Sequence, residues 1–129
     1  MSIINTNKIL NDLKSIVGEK HLLTADWKKQ TYSKGWRYGE GDALAVVKPA
    51  TLLDIWKILH ICVKSDVIVI MQAANTGLTG GSTPYGNDYD RPIIIVNTMR
   101  INDIHIINEG KQIVGLSGST LYNLENKLA

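Results

Sequence analysis

The 129-residue sequence has few of the features that mark specialised classes of protein. Cys62 is its single cysteine, which excludes an internal disulfide and any metal site built from several cysteines. A net charge of +2 and scattered basic residues give no reason to expect a nucleic acid as partner. The sequence shows neither an apolar run of about 18 residues nor a signal peptide. We therefore expect a soluble, cytoplasmic chain, with peripheral membrane contact still open.

What remains is an ordinary globular composition, with 44% hydrophobic and 20% charged residues, enough for one domain with a modest core. Hydrophobic periodicity and turn residues divide the sequence into elements. They predict helices over 6–17, over 51–64 and from about 120 onward, strands over 43–47, 67–71, 93–96 and 112–116, an apolar segment over 104–107, a turn over 108–111, and a connector with one helical turn over 24–42.

Two of these elements carry specific packing expectations. In the helix over 51–64, apolar residues recur with a period near 3.6, which predicts one buried face. That face comprises Leu52, Ile55, Trp56, Leu59, Cys62 and Val63. Cys62 is therefore expected to pack in the core and not to act as a reactive thiol. The uninterrupted apolar run over 67–71 predicts a strand that is covered on both faces.

The last predicted helix follows a cap at Ser119 or Thr120 and places Leu121, Leu124 and Leu128 on one face. It has run for only a few turns when the sequence stops, and no glycine or proline ends it. We therefore expect the sequence to be part of a longer protein.

The loop after the strand over 67–71 reads MQAANTGLTGGSTPYGN and is small, polar and uncharged until its end. Glycines and asparagines tolerate positive φ, so successive backbone N–H groups can converge there on an anion such as a diphosphate. The phosphate loop of ATPases is disfavoured, because no lysine lies between Lys64 and Lys111, and the spacing Gly-x-Gly-x-x-Gly is absent. The alternative is that these residues only form a long turn between two buried strands.

Several runs of residues resemble a known family. The order of strand, Pro-x-Thr-capped helix, strand and Thr-Gly-Leu-Thr-Gly-Gly loop resembles the FAD-binding domain of the vanillyl-alcohol oxidase and p-cresol methylhydroxylase family. Within that family, the runs GDALAVV, QAANTGLT, GSTP and GNDYD resemble the bacterial branch that oxidises D-lactate to pyruvate and passes electrons to quinone. This resemblance covers essentially the whole chain.

The resemblance implies a set of residues that bind FAD. A first arc around the flavin diphosphate consists of Ala73, Ala74, Asn75, Thr76 and Gly77, and a second arc consists of Gly81 and Ser82. The wider family often has Arg at the position of Gln72 and Gly at the positions of Ala73 and Asn75. A histidine holds the flavin covalently in some members, but none lies in or beside this loop, so non-covalent FAD is expected.

The resemblance also implies the fold and the extent of the protein. The fold class is α+β, a small mixed sheet packed with helices that forms the first subdomain of a PCMH-type FAD-binding domain, preceded by an N-terminal helix. Residues 1–40 are the helix and connector, and residues 41–129 are the first, incomplete half of the domain. A second half and a substrate domain, which supplies the catalytic residues, lie outside this chain.

The functional expectations follow from that division. The whole protein would act on D-lactate and quinone at the cytoplasmic side of the bacterial inner membrane, attached peripherally through the part outside this chain. The chain alone has no catalytic residue, is inactive, and self-associates through the apolar surface near Leu121, Leu124 and Leu128. The alternative is a stand-alone nucleotide-binding or protein-interaction module that keeps the fold without the chemistry.

Other candidate residues carry weaker expectations. Asp88 and Asp90 favour a solvated turn over a metal site, and His21, His60 and His105 lack the spacing of a helical zinc pair. The aromatic residues of the connector are Trp27, Tyr32, Trp36 and Tyr38. We expect them to pack across the domain, and the alternative is that they form a membrane-edge or interdomain surface. Three arginines are either secondary phosphate contacts or surface charges; they are Arg37, Arg91 and Arg100.

Overall fold

The computed structural model describes residues 4–129. Its helices are α1 Thr6–Val17, α2 Asp26–Ser33, α3 Leu52–Lys64 and α4 Leu121–Leu128. Its strands are β1 Leu22–Leu23, β2 Ala45–Val47, β3 Ile68–Gln72, β4 Ile93–Asn97, β5 Ile104–Ile107 and β6 Gln112–Gly115. Short 3₁₀ turns occupy Glu19–His21 and Asn108–Gly110.

The helix ends are set by capping side chains and, for α1, by a glycine. Asn5 caps α1 by accepting a hydrogen bond of 3.1 Å from the N–H of Lys8, and Gly18 ends it at φ 83°. Thr51 caps α3 through the N–H of Asp54, at 3.1 Å. Thr120 caps α4 in the same way, so the predicted starts of these helices are confirmed.

The main sheet has the order β1-β2-β4-β3. Both β2 and β3 run parallel to β4, whereas β1 is antiparallel to β2. The carboxyl ends of β2, β4 and β3 therefore meet at one edge, which is where parallel sheets place their ligands. In this order the central strand β4 is buried throughout.

The strand β3 lies at the edge of that sheet and not in its interior. Met71 is 46% exposed, and the middle of β3 is only partly buried. The prediction that both faces of this run are covered holds in part, because Val69 packs on one core cluster and Ile68 and Ile70 pack on the other, whereas Met71 is exposed. A continuous apolar run is typical of buried parallel strands, but the order of strands, which the sequence does not reveal locally, places β3 outside β4.

The core lies on both sides of the sheet. On one side, Ile9 and Leu13 of α1 and Ile58 of α3 pack on residues such as Val47 and Ile94; on the other, Val46, Ile93 and Ile95 contact side chains including Tyr32 of α2. Residues 4–40 and 41–129 share these clusters, and β1 pairs with β2. The boundary at residue 40 stays a prediction.

The helix α3 turns only part of its predicted face to the core. Ile58 and Cys62 are fully buried, whereas Leu52, Trp56 and Val63 are exposed, which corrects the predicted face. Because α3 is apolar over most of its circumference, periodicity alone does not select the side that meets the sheet. The prediction for Cys62 is confirmed, and burial raises the pKa of its thiol to about 11.

The connector also contains more structure than predicted. The eight residues Asp26–Ser33 form α2, where one turn was expected. The Nζ of Lys29 donates to the carbonyl of Ala43, and Tyr32 packs on the second side of the sheet, so tertiary contacts stabilise this helix. Three other aromatic side chains are largely exposed, contrary to the expected packing; they are Trp27, Trp36 and Tyr38.

The last part of the chain forms a separate antiparallel hairpin, in which Ile106 of β5 faces Ile113 of β6. The turn lies at the predicted place, with Asn108, Glu109 and Gly110 at positive φ. Over residues 4–129, no helix has both the length and the apolar character that a membrane span requires.

Candidate functional site

The small-residue loop, residues 73–82, leaves the carboxyl end of β3 beside the carboxyl end of β4. Gln72 and Asn97 are register partners, so the loop begins at the edge where the parallel strands end. In a parallel sheet this edge carries open backbone groups and is the usual place for a ligand. Topology thus puts the loop where a bound nucleotide would be expected.

The two predicted arcs meet through one pair of side chains. The Oδ1 of Asn75 accepts a hydrogen bond of 2.8 Å from the Oγ of Ser82, and the Nδ2 of Asn75 donates to the carbonyl of Lys34 at 2.7 Å. Asn75 has φ 57°, a conformation that asparagine tolerates better than most residues. Asn75 therefore performs locally what a glycine would do freely, and its side chain also fixes the second arc and the connector.

The backbone of the loop has unused donors. Over residues 4–129, no N–H group of residues 73–82 donates a hydrogen bond to the protein, and the next donor is Thr83, to the carbonyl of Gly80 at 3.5 Å. Among the predicted binding residues, Ala74, Thr76, Gly77 and Gly81 are exposed, and the rest are half-buried. A ligand approaching the loop would meet N–H groups and hydroxyls.

Glycines bring the connector against the second arc. Gly39 has φ 92°, and a Cβ there would collide with the Oγ1 of Thr83 and crowd Gly80. Gly41 forms a bridge with Gly86. By contrast, a Cβ on Gly77 would meet nothing within 4 Å, so the first arc faces open space. This contact joins residues about 40 positions apart, so no local pattern in the sequence predicts it.

A buried amide supports the loop from below. Gln72 is 2% exposed, and its Nε2 donates to the carbonyl of Ser82 at 2.9 Å. The sequence reasoning identified Gln72 only as a departure from the arginine of the wider family. Its neighbour Asn97, also buried, was missed, because no local pattern distinguishes it from the end of an apolar strand.

Two of the three arginines considered as secondary phosphate contacts bind partners outside the loop. Arg91 binds Asp66 at 2.9 Å and Asp90 at 3.3 Å, and these hydrogen bonds raise the pKa of its guanidinium. Arg100 donates to the carbonyl of Lys48 at 2.6 Å, and Arg37 lies over the ring of Tyr38. Arg91 therefore belongs to a surface ion pair. Arg37 precedes Tyr38, whose backbone lies against Gly80, so its role as a phosphate contact stays a prediction.

Two cavities border this region. One of about 370 Å³ is lined by Lys34, Trp36, Ala74 and Asn75, among others, and so reaches the first arc. A larger one of about 740 Å³ lies between α2 and the segment around Asp42 and touches none of residues 73–82, although Asn87 lines it. Within the described part of the chain, no group of three or more His, Cys, Asp or Glu side chains could hold a metal ion.

Comparison with solved structures defines the class of the fold. The chain superposes on alkyldihydroxyacetonephosphate synthase with a TM-score of 0.82 at 15% identity, covering 95% of this chain and 24% of that one. A p-cresol methylhydroxylase structure with bound substrate gives a TM-score of 0.77 at 16% identity, with 95% and 24% coverage. The fold is that of a PCMH-type FAD-binding domain, in the α+β class that the resemblance implied.

Sequence comparison identifies a smaller group of similar proteins within this fold class. The chain is 54% identical over 125 residues to the quinone-dependent D-lactate dehydrogenase of Haemophilus influenzae and 50% identical over 128 residues to that of Escherichia coli. The enzyme of the same name from Corynebacterium glutamicum is 44% identical over 124 residues. These matches confirm the resemblance to this branch of the family.

The matched region is a small part of those relatives. It covers between 96% and 99% of this chain but only 22% of each of the three dehydrogenases. No protein-family model matches the chain.

Proposed function

We propose that this chain is the FAD-binding part of a flavoprotein that oxidises D-lactate to pyruvate and passes the electrons to quinone. The loop of residues 73–82 would bind the diphosphate of FAD non-covalently. The binding residues would be those of the two arcs, namely Ala73, Ala74, Asn75, Thr76, Gly77, Gly81 and Ser82. The sequence similarity to quinone-dependent D-lactate dehydrogenases supports the choice of substrate and acceptor.

The observation that carries this proposal is the run of N–H groups in residues 73–82 that bind no protein acceptor. Consecutive donors on a chain of small residues can surround phosphate oxygens closely, and each adds a modest charge-assisted hydrogen bond. Such a site needs no lysine, which agrees with the absence of lysine between Lys64 and Lys111. A site made of backbone donors favours a diphosphate over an anion that needs a positively charged side chain.

In such an enzyme the flavin would accept a hydride from the hydroxyl carbon of D-lactate. The residues of this chain would hold and orient the diphosphate. None of them is assigned to remove the hydroxyl proton or to bind the substrate carboxylate, so we expect the chain alone to be inactive. Dye reduction by the purified chain with FAD and D-lactate would contradict that expectation.

The same proposal covers the location of the whole protein. An enzyme that reduces quinone must reach the membrane where quinone dissolves, so we propose peripheral attachment to the cytoplasmic side of the inner membrane, through parts outside this chain. The chain alone is proposed to stay in solution, and binding of the whole protein but not of the chain to membrane vesicles would support this division.

The proposal is tested by titrating the chain with FAD in a calorimeter, beside the variant Gly77→Val. Because a Cβ at position 77 meets nothing within 4 Å, valine fits the folded chain but occupies the open side of the first arc. Ala50→Val is a matched control, since Ala50 is exposed and lies outside the loop. Saturable binding that only Gly77→Val abolishes supports a diphosphate site, and equal binding by both variants would reject it.

The non-covalent character is tested separately. After acid precipitation of the chain loaded with FAD, the flavin is expected in the supernatant, because residues 73–82 contain neither histidine nor cysteine. Yellow colour that stays with the precipitated protein would contradict this part of the proposal.

A further inference from the structure

The side chain of Gln72 connects three segments that are distant in sequence. Its Nε2 donates to the carbonyl of Tyr32 in α2 at 2.7 Å and to the carbonyl of Ser82 in the second arc at 2.9 Å. Both hydrogens of this amide are therefore used. Since Gln72 is only 2% exposed, it can support the loop but not touch a ligand in it.

The oxygen of the same amide is also bound. It accepts a hydrogen bond of 3.0 Å from the Nδ2 of Asn97, which is 2% exposed and also donates to the carbonyl of Ala73 at 3.2 Å. The Oδ1 of Asn97 accepts from the N–H of Met99 at 3.1 Å. Rotating either amide by half a turn would bring donors against donors and oxygen against carbonyl oxygen, so each has one favourable orientation.

This pair of amides touches both ends of the loop. Asn97 binds the carbonyl of Ala73 where the first arc begins, and Gln72 binds the carbonyl of Ser82 where the second arc ends. The hydroxyl of Ser82 then binds Asn75. Because the N–H groups of residues 73–82 bind no protein acceptor, side chains hold this loop in shape while its backbone donors stay open.

We propose that Gln72, oriented by Asn97, is a positioning residue that holds the two arcs in one arrangement in the ligand-free chain. The inference deepens the proposed function, because a loop ordered in advance does not lose that freedom on binding the diphosphate. Polar groups buried in a fully bonded network have well-defined positions, which is what a site made of many weak donors requires.

The test uses the substitution Gln72→Glu. Glutamate has nearly the shape of glutamine, but its carboxylate only accepts hydrogen bonds, so the carbonyls of Tyr32 and Ser82 would lose their donor. Asn97→Asp removes the donors to Gln72 and Ala73 and keeps the acceptor for Met99, and it replaces the first variant if that one does not fold. Gln112→Glu, on exposed β6, is the matched control for charge.

The first measurement needs no ligand. In nuclear magnetic resonance spectra of the free chain, we expect the side-chain amide of Gln72 to exchange slowly with water and that of Gln112 to exchange rapidly. In Gln72→Glu, the signals of Asn75 and Ser82 should shift or broaden, while far-ultraviolet circular dichroism shows an intact fold. Unchanged signals of Asn75 and Ser82 would overturn the proposal.

The second measurement is FAD affinity by calorimetry. Loss of the network is expected to weaken binding about tenfold or more, whereas Gln112→Glu leaves it unchanged. Ile58→Val, in the core cluster on the α1 and α3 side of the sheet, separates positioning from stability, because it should lower Tm without changing affinity.

Disturbed loop signals with unchanged affinity would also overturn the positioning role. Failure of the unchanged chain to bind FAD would count against the proposed function alone, because the loop signals are measured without ligand.

Discussion

The hydroxyl of Ser82 and the side-chain oxygen of Asn75 lie 2.8 Å apart and close the loop across seven residues. Ser82→Ala removes this hydrogen bond but keeps the carbonyl that Gln72 binds. We expect FAD to bind about five- to tenfold more weakly, because the second arc loses one of its fixed contacts.

The measurement is a calorimetric titration of Ser82→Ala beside Ser117→Ala, which changes an exposed serine outside the loop. Equal affinities of the two variants would show that the bond between Asn75 and Ser82 contributes nothing to the site.

The contact between the connector and the second arc gives a prediction about stability. Gly39→Ala would place a methyl group against the Oγ1 of Thr83 at φ 92°, a conformation unfavourable for alanine. We expect a loss of more than about 2 kcal/mol in the free energy of unfolding, measured in urea, since backbone strain and overpacking add.

Gly110→Ala separates these two causes. Gly110 also has positive φ, at 83°, but a Cβ there meets nothing within 4 Å. We expect Gly110→Ala to lower the free energy of unfolding by about 1 kcal/mol, which is the cost of the backbone conformation alone. If Gly39→Ala costs no more than Gly110→Ala, the close approach of the connector to the loop is not a constraint.

Local signals in the sequence predict local structure well. Thr51 and Thr120 are helix caps as expected, and the turn at 108–111 joins β5 to β6. The orientation of α3 is not predictable, because its own apolar side chains lie on most sides of the helix. Only the position of the sheet decides which of those sides is buried. The edge position of β3 is missed for a related reason, since the strand order is a property of the whole fold.

The candidate site also has one part that the local sequence predicts and another that depends on the whole fold. The small, polar composition of residues 73–82 is sufficient to indicate an anion-binding loop. The contacts that shape it join residues 7 to 41 positions apart, such as Asn75 with Ser82 and Asn75 with Lys34. No spacing rule encodes such pairs, so the supporting roles of Gln72 and Asn97 become visible only in the fold.

His21 gives a prediction about pH. Burial, followed by the charges of Arg100, Lys48 and Lys20, lowers the pKa of its imidazole below the ordinary 6.5. The folded chain therefore binds this proton more weakly than the unfolded chain. The stability that comes from neutral His21 is fully present above about pH 6.5 and is lost as the pH falls toward the lower pKa of the folded state.

We expect the Tm of the chain to fall between about pH 7 and pH 5, and His21→Gln to make that fall shallower. His105→Gln, at an exposed position on β5, should leave the slope unchanged. Parallel slopes for the chain and for His21→Gln would show that protonation of His21 does not oppose folding.

The exposed apolar side chains of α4 give a prediction about association. Leu121 and Tyr122 are each 71% exposed and Leu128 is 59% exposed, although a short amphipathic helix is normally stable only when its apolar side is covered. In the chain alone, a second copy can cover them. We expect sedimentation velocity to show an average mass that rises with concentration, and Leu121→Glu combined with Leu128→Glu to restore a monomer.

The control has to separate α4 from other exposed apolar surfaces. Trp56, which is 62% exposed on α3 and stacks on His60, offers a second candidate contact. If α4 is the contact, Trp56→Glu leaves the association unchanged, because the carboxylate is added to a surface that stays in water. If Trp56→Glu gives the monomer and the α4 variant does not, the contact lies on α3. If the unchanged chain is a monomer at every concentration, self-association is rejected altogether.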